Sequence, residues 1–192
     1  MYNETAIELL NDLELSADKN YPALETLSES STKYVRDLKV NLKTALSSEN
    51  LGEKDALLTA YAVAVNAKNA SLQEAFRKRA TAAGANTEEV AEAAAVASLL
   101  SANNILYRFR HFCDNKKYSD MPARIRMNIM MSPVLGKELF ELISLAVSAV
   151  NGCQACVNSH EHSVRELGAS EERIFDAIRV AAIVASVDRI IA

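Results

Sequence analysis

Two stretches of the chain echo each other. Leu57-Leu58 and Ala64-Val65-Asn66 return about 85 residues later as Leu142-Ile143 and Ala149-Val150-Asn151. Gly84-Ala85 returns as Gly168-Ala169, and Val96-Ala97 as Val180-Ala181. Order is kept and the spacing is nearly constant. One three-helix unit, used twice and packed about a pseudo-twofold axis, would produce this echo. Chance similarity between Ala-rich helices is the competing explanation.

The units read as helical because nothing in the chain favours strands. Only five glycines and three prolines (Pro22, Pro122 and Pro133) punctuate 192 residues. Helix formers dominate, and no stretch alternates as an amphipathic strand does. The fold class expected is all-α, with one or two domains and a substantial core. Helices are expected over residues 4–15, 21–47, 54–67, 69–83, 87–112, 121–131, 137–150, 153–167 and 171–191. Gly84 and Gly168 stand where C-terminal caps belong. Thr87-Glu88-Glu89 and Ser170-Glu171-Glu172 look like helix starts, with acid in the first turn.

Charge excludes some functions. The net charge is -4 and no basic run occurs, so neither nucleic acid nor a membrane surface is indicated. Met1-Tyr2-Asn3-Glu4-Thr5 lacks the basic start and apolar core of a signal peptide. No uninterrupted apolar run is long enough to span a bilayer. A soluble, cytoplasmic protein is the expectation.

The chemistry concentrates near the end of the chain. Cysteines stand at positions 113, 153 and 156. An odd count with one close pair is no secreted disulfide framework. In a reducing compartment, Cys153-Gln154-Ala155-Cys156 points to a redox pair or a metal site. The helix is expected to break at Asn151-Gly152 and restart with Cys153 in its first turn. At about 100° per residue, Cys156 and His160 then share a face with Cys153. An i, i+3 spacing brings the two α-carbons to about 5–6 Å, within disulfide range. The partial positive charge of the helix start favours a thiolate, the reactive form of cysteine. His160 can exchange a proton with Cys156. Glu141, on the preceding helix, can orient the imidazole or relay protons through water.

Zinc is the main competitor. Cys153, Cys156, His160 and His162 are all ligand types, but His162 lies about 180° round the helix from Cys153, so the four cannot converge on one ion. A three-ligand site completed by Glu141 stays open. His162 reads more simply as a solvated or interface residue. Cys113 is expected in the core, His111 as a hydrogen-bonded structural histidine, and Arg108, Arg110, Arg124 and Arg126 as partners of acids. Matching the halves at 85 residues sets Lys68, Ser71, Ala75 and Ala56 opposite Cys153, Cys156, His160 and Glu141. The first copy then reads as scaffold.

At these residues the chain resembles the AhpD family of alkyl hydroperoxidases, within the carboxymuconolactone decarboxylase-like superfamily. Asn104-Ile105-Leu106-Tyr107-Arg108, Arg126-Met127-Asn128-Ile129, Phe140-Glu141-Leu142 and Ala146–Cys156 carry the resemblance, continued by His160-Glu161-His162 and Ala181-Ala182-Ile183-Val184. Tyr34–Leu42 looks like the family's opening helix. The Glu-x11-Cys-x2-Cys-x3-His spacing is the specific part.

The resemblance implies an AhpD-like helical domain over 21–192, with a degenerate repeat about 54–112 and an active repeat about 137–192. Residues 1–20 would be an N-terminal extension. It implies a homotrimer with no tightly bound cofactor. Electrons would come from dihydrolipoamide on a lipoylated 2-oxoacid dehydrogenase subunit, recharged by a flavin dehydrogenase and NADH. The partner would be a peroxiredoxin of the alkyl hydroperoxide reductase type. Cys156 resembles the thiol oxidised to sulfenic acid, Cys153 its proton donor and resolving partner, and Glu141 and His160 the relay. The family often has histidine before the second cysteine, where this chain has Ala155. Its loss would slow direct peroxidase chemistry more than disulfide exchange. Helix-dipole reasoning favours Cys153 as the lower-pKa thiol, whereas the resemblance makes Cys156 the attacker; burial of Cys153 would side with the latter. A non-enzymatic redox sensor, a zinc module and a decarboxylase-type enzyme are the other readings.

Overall fold

The computed structural model describes residues 1–30 and 32–192. Among the described residues there are ten α-helices and no strand: α1 Glu4–Asp12, α2 Pro22–Glu29, α3 Tyr34–Leu46, α4 Glu53–Asn66, α5 Ala70–Ala82, α6 Thr87–Phe112, α7 Lys117–Asp120, α8 Lys137–Val150, α9 Gln154–Glu166 and α10 Glu171–Asp188. One 3-10 turn spans Asn128–Met130.

The core is built around α4 and α8, which are apolar nearly all round, as a central helix must be. α4 packs against α5, α6, α8 and α10; α8 packs against α9, α10, α4 and α6. Small residues let the backbones approach: Ala60, Ala62 and Ala64 on α4, and Ser144, Ala146 and Ser148 on α8, are all buried. Phe76 and Phe140 fill the space between layers, each contributing about 1.5–3 kcal/mol by leaving water.

Helix ends follow from their caps. Asn86 opens α6 with a reciprocal capping box: its side chain accepts from the Glu89 N–H and the Glu89 carboxylate accepts from the Asn86 N–H. The Ser170 hydroxyl caps α10 through the Arg173 N–H. Gly84 and Gly168 follow the ends of α5 and α9 at φ +96° and +94°, a backbone region that favours glycine. By length and composition alone α6 could cross a membrane, but Val90, Val96 and Leu100 face the core and Glu92, Asn103 and Asn104 are buried with them.

The two three-helix units run in step at 84 residues, not 85. α4 and α8, α5 and α9, and the starts of α6 and α10 all keep that offset. So do Gly52 and Gly136, which precede α4 and α8 at φ +78° and +76°. The counterparts of Glu141, Cys153, Cys156 and His160 are therefore Leu57, Asn69, Leu72 and Phe76, one position on from the expected Ala56, Lys68, Ser71 and Ala75. The one-residue slip arises because runs of small apolar residues match nearly as well at either offset. The caps, which demand particular backbone angles, do not.

Three other expectations change. The helix expected over 21–47 divides into α2 and α3. Ser30 is extended, its hydroxyl donates back to the Leu27 carbonyl, and Thr32 Oγ1 accepts from the Tyr34 N–H. Hydroxyl side chains compete with the helix for its backbone groups. The helix expected over 121–131 is absent: α7 ends before Pro122, Arg124 takes φ +52°, and only the short 3-10 turn follows. Residues 1–20, set apart as an extension, include α1, which buries Ala6, Leu9 and Leu10 against the common core.

A cation ties the starts of the two central helices together. Arg173 on α10 donates to Asp55 of α4 (2.7 Å), to Glu138 of α8 (2.8 and 3.0 Å) and to the Leu51 carbonyl. The hydrogen bond to Glu138 is the main reason its guanidinium holds its proton more firmly than usual.

Candidate active site

α8 ends at Val150, and Gly152 turns the chain at φ +68°. Cys153 is the N-cap of α9 and Cys156 lies in its first turn, so the helix begins one residue later than expected. The two cysteines form a disulfide with α-carbons 5.3 Å apart. Cys153 is fully buried and Cys156 is 6 % exposed, so the second cysteine is the more accessible residue. No side chain caps the first turn of α9. Its free N–H groups and dipole make it a place where a thiolate is stabilised once the disulfide is reduced.

His160 lies one turn after Cys156 and is 8 % exposed. Its Nδ1 donates to Glu141 Oε2 at 2.6 Å. A carboxylate only accepts, so Nδ1 carries the hydrogen and faces Glu141. Glu141 sits on α8, twelve residues before Cys153. The structure thus brings together all four residues expected at the site: Cys153, Cys156, His160 and Glu141. On its far side Glu141 borders a cleft of about 430 Å³ shared with Lys137, Phe140 and the exposed His162.

Ala155 is exposed and faces a second cleft of about 440 Å³. Tyr107, Arg110, His111, Cys113, Asp114 and Lys116 line it with Ala155. Cys113 is therefore half-buried in a cleft wall, not in the core as expected. His111 is exposed against Phe112, not a hydrogen-bonded structural residue. Carbonyls stand in for the expected acid partners of Arg108 and Arg110, and among the described residues Arg124 and Arg126 make no ion pair. Arg108 donates to the Asn151 carbonyl at 2.6 Å and Arg110 to the Met121 carbonyl. Among the described residues, no group of three His, Cys, Asp or Glu side chains is placed to hold a metal ion.

One feature of the site was not anticipated. Asn104 on α6 is buried, donates to Ser148 Oγ (3.0 Å) and accepts from Asn151 Nδ2 (2.8 Å). Asn151 and Asn66 exchange hydrogen bonds at 2.9 and 3.1 Å. The signal was present: Asn103-Asn104 interrupts an apolar helix, and Asn66 and Asn151 stand at the ends of α4 and α8. Buried amides at such positions must find partners.

Comparisons with known proteins place the chain in a family. The carboxymuconolactone decarboxylase family model matches residues 117–192. The alkyl hydroperoxide reductase AhpD of Solibacter usitatus is 45% identical over 158 residues, covering 82% of this chain and 89% of the relative. That of Anaeromyxobacter dehalogenans is 41% identical over 162 residues, covering 84% and 87%. That of Acidobacterium capsulatum is 40% identical over 172 residues, covering 88% and 92%. With such identity along most of both chains, this protein belongs to the AhpD family.

Proposed function

We propose that the protein is an alkyl hydroperoxide reductase whose Cys153–Cys156 pair alternates between dithiol and disulfide. The observation that carries this reading is the disulfide at the start of α9, one turn from a part-buried His160–Glu141 pair. The names of the relatives support it.

Cys156 is the attacking thiol in this reading, supported by its greater access to solvent. Its thiolate attacks the distal oxygen of a hydroperoxide, the O–O bond breaks, and an alcohol leaves. Cys156 becomes a sulfenic acid. The Cys153 sulfur then attacks the Cys156 sulfur, the S–O bond breaks, and water departs as the disulfide forms. His160 accepts the thiol proton and returns it to the departing oxygen, while Glu141 holds the imidazole and stabilises its charged form. Dihydrolipoamide, carried on a lipoylated 2-oxoacid dehydrogenase subunit, reduces the disulfide and becomes lipoamide. The same dithiol exchanges with the disulfide of a peroxiredoxin. The work is done in the cytoplasm by a homotrimer with no tightly bound cofactor.

The test is consumption of cumene hydroperoxide with dihydrolipoamide as the electron source, with and without a peroxiredoxin of the alkyl hydroperoxide reductase type. Turnover is expected in the parent and is lost in Cys156→Ser. Full activity in Cys156→Ser refutes the assignment.

A further inference from the structure

The residues that meet at Asn151 come from both units. Asn66 ends α4, Asn104 and Arg108 lie on α6, and Ser148 lies on α8. Their hydrogen bonds centre on Asn151, two residues before Cys153. Asn104 bridges Ser148 and Asn151, Asn66 pairs with Asn151 side chain to side chain, and Arg108 takes the Asn151 carbonyl. The Ser148 carbonyl in turn accepts from the Cys153 N–H at 3.1 Å. Gly152 itself is exposed, and nothing lies within 4 Å of where its Cβ would be. No neighbour packs on Gly152, so beyond the burial of Cys153 it is the hydrogen bonds to Asn151 that hold this turn.

We propose that Asn104, Asn151 and Arg108 are positioning residues for the redox pair: they hold the Asn151-Gly152 turn and so keep Cys153 beside Cys156 when no covalent bond joins the sulfurs. In the oxidised protein the disulfide enforces the geometry by itself. In the dithiol and sulfenic acid states that task falls to the turn and the first turn of α9. Ring closure by Cys153 on the Cys156 sulfenic acid, which releases water, depends on the effective concentration of one sulfur at the other. A slack turn lowers that concentration. The disulfide then becomes easier to reduce, and the sulfenic acid survives long enough for a second peroxide to carry it to sulfinic acid.

This proposal rests on the reversible-dithiol reading, and its test isolates the disulfide. The full-length protein is equilibrated in glutathione buffers without peroxide. Two glutathione thiols reduce the disulfide to the dithiol and leave as glutathione disulfide. The dithiol fraction is counted by alkylation and mass spectrometry. Arg108→Met, which keeps the stem but removes the donors, is expected to shift the constant about tenfold toward dithiol, about 30 mV in potential. Arg108→Lys restores a donor to the carbonyl and should stay within about threefold of the parent. Asn104→Ala should shift the constant further than Arg108→Met. Shifts below about threefold in Arg108→Met overturn the proposal whatever happens to melting temperature, as does a lysine that fails to restore the parent value. If Asn104→Ala does not fold, the arginine pair decides. A parent that never re-forms the disulfide refutes the redox reading itself; a parent that cycles normally while the variants do not differ refutes only the positioning role.

Discussion

The two three-helix units put different chemistry on one backbone plan. In the first, Asn69 caps α5: its side-chain oxygen accepts from the Leu72 N–H, and its amide donates to Asp188 of α10 and to the Ile191 carbonyl. Leu72 and Phe76 are fully buried on the same helix. In the second, 84 residues on, the cap is Cys153, and Cys156 and His160 replace the leucine and phenylalanine. Leu57 gives way to Glu141. A capped, apolar helix start becomes an uncapped one with two sulfurs, an imidazole and a carboxylate. The first unit satisfies its helix N-terminus with an asparagine cap; the second leaves it without a side-chain cap. The turn before each helix differs as well. Lys68 takes φ +61° where Gly152 takes +68°.

Exchanging what each unit does would break this comparison. The largest effect belongs to Cys156→Ser, which is expected to lower dithiol-supported peroxide turnover by at least about 10³-fold with little change in melting temperature. Its counterpart should behave in the opposite way. Leu72→Ala removes a buried side chain and is expected to cost about 2–5 kcal/mol in denaturant unfolding, with turnover per folded molecule unchanged. A loss of specific activity in folded Leu72→Ala would mean that the first unit is more than scaffold.

Glu141→Gln sharpens the account of the relay. It keeps the shape and still accepts from His160 Nδ1, but cannot balance a protonated imidazole. Turnover is expected to fall about 10²-fold in steady-state assays while the glutathione equilibrium of the disulfide stays near the parent value. Retained turnover would remove Glu141 from the mechanism.

Asp176 tests the shared frame. It accepts from Ser48 and Asn50 and pairs with Arg179 at 2.5 Å. The Ser48 hydrogen bond, with help from Asn50 and Arg179, lowers its pKa below the usual aspartate value. Its contribution is therefore complete at neutral pH and is lost as pH falls through that lowered value. Asp176→Asn should destabilise by about 1–3 kcal/mol at pH 7, and parent and variant should converge in acid. A difference that widens in acid would contradict this reading. The smallest effect is expected at the turns. Gly152→Ala meets no neighbour but forces alanine into the left-handed region, costing about 1–2 kcal/mol in a thermal melt, whereas Lys68→Ala, already in that region, should change stability very little.

Much of the fold was legible because the informative residues act locally. Asn86, Ser170, Gly84 and Gly168 bound helices through contacts within a few residues, so α6 and α10 begin at their expected residues. The break between α2 and α3 was missed because serine and threonine only tip a local competition. The 121–131 segment was missed because helix formers there are overruled by Pro122 and the turn at Arg124. At the site, spacing alone brings Cys153, Cys156 and His160 to one helix face. The Asn66, Asn104 and Arg108 contacts join residues 43 to 85 positions apart across the two units, and no local pattern states such pairings.

The central claim is that the second unit carries a reversible sulfur–sulfur switch. The reduced protein, mixed with one equivalent of cumene hydroperoxide and mapped by peptide mass spectrometry, tests it most directly. The account predicts one molecule of alcohol per chain, a single Cys153–Cys156 disulfide and an untouched Cys113. Alcohol formed with both Cys153 and Cys156 still free, or a disulfide drawn instead to Cys113, would contradict it.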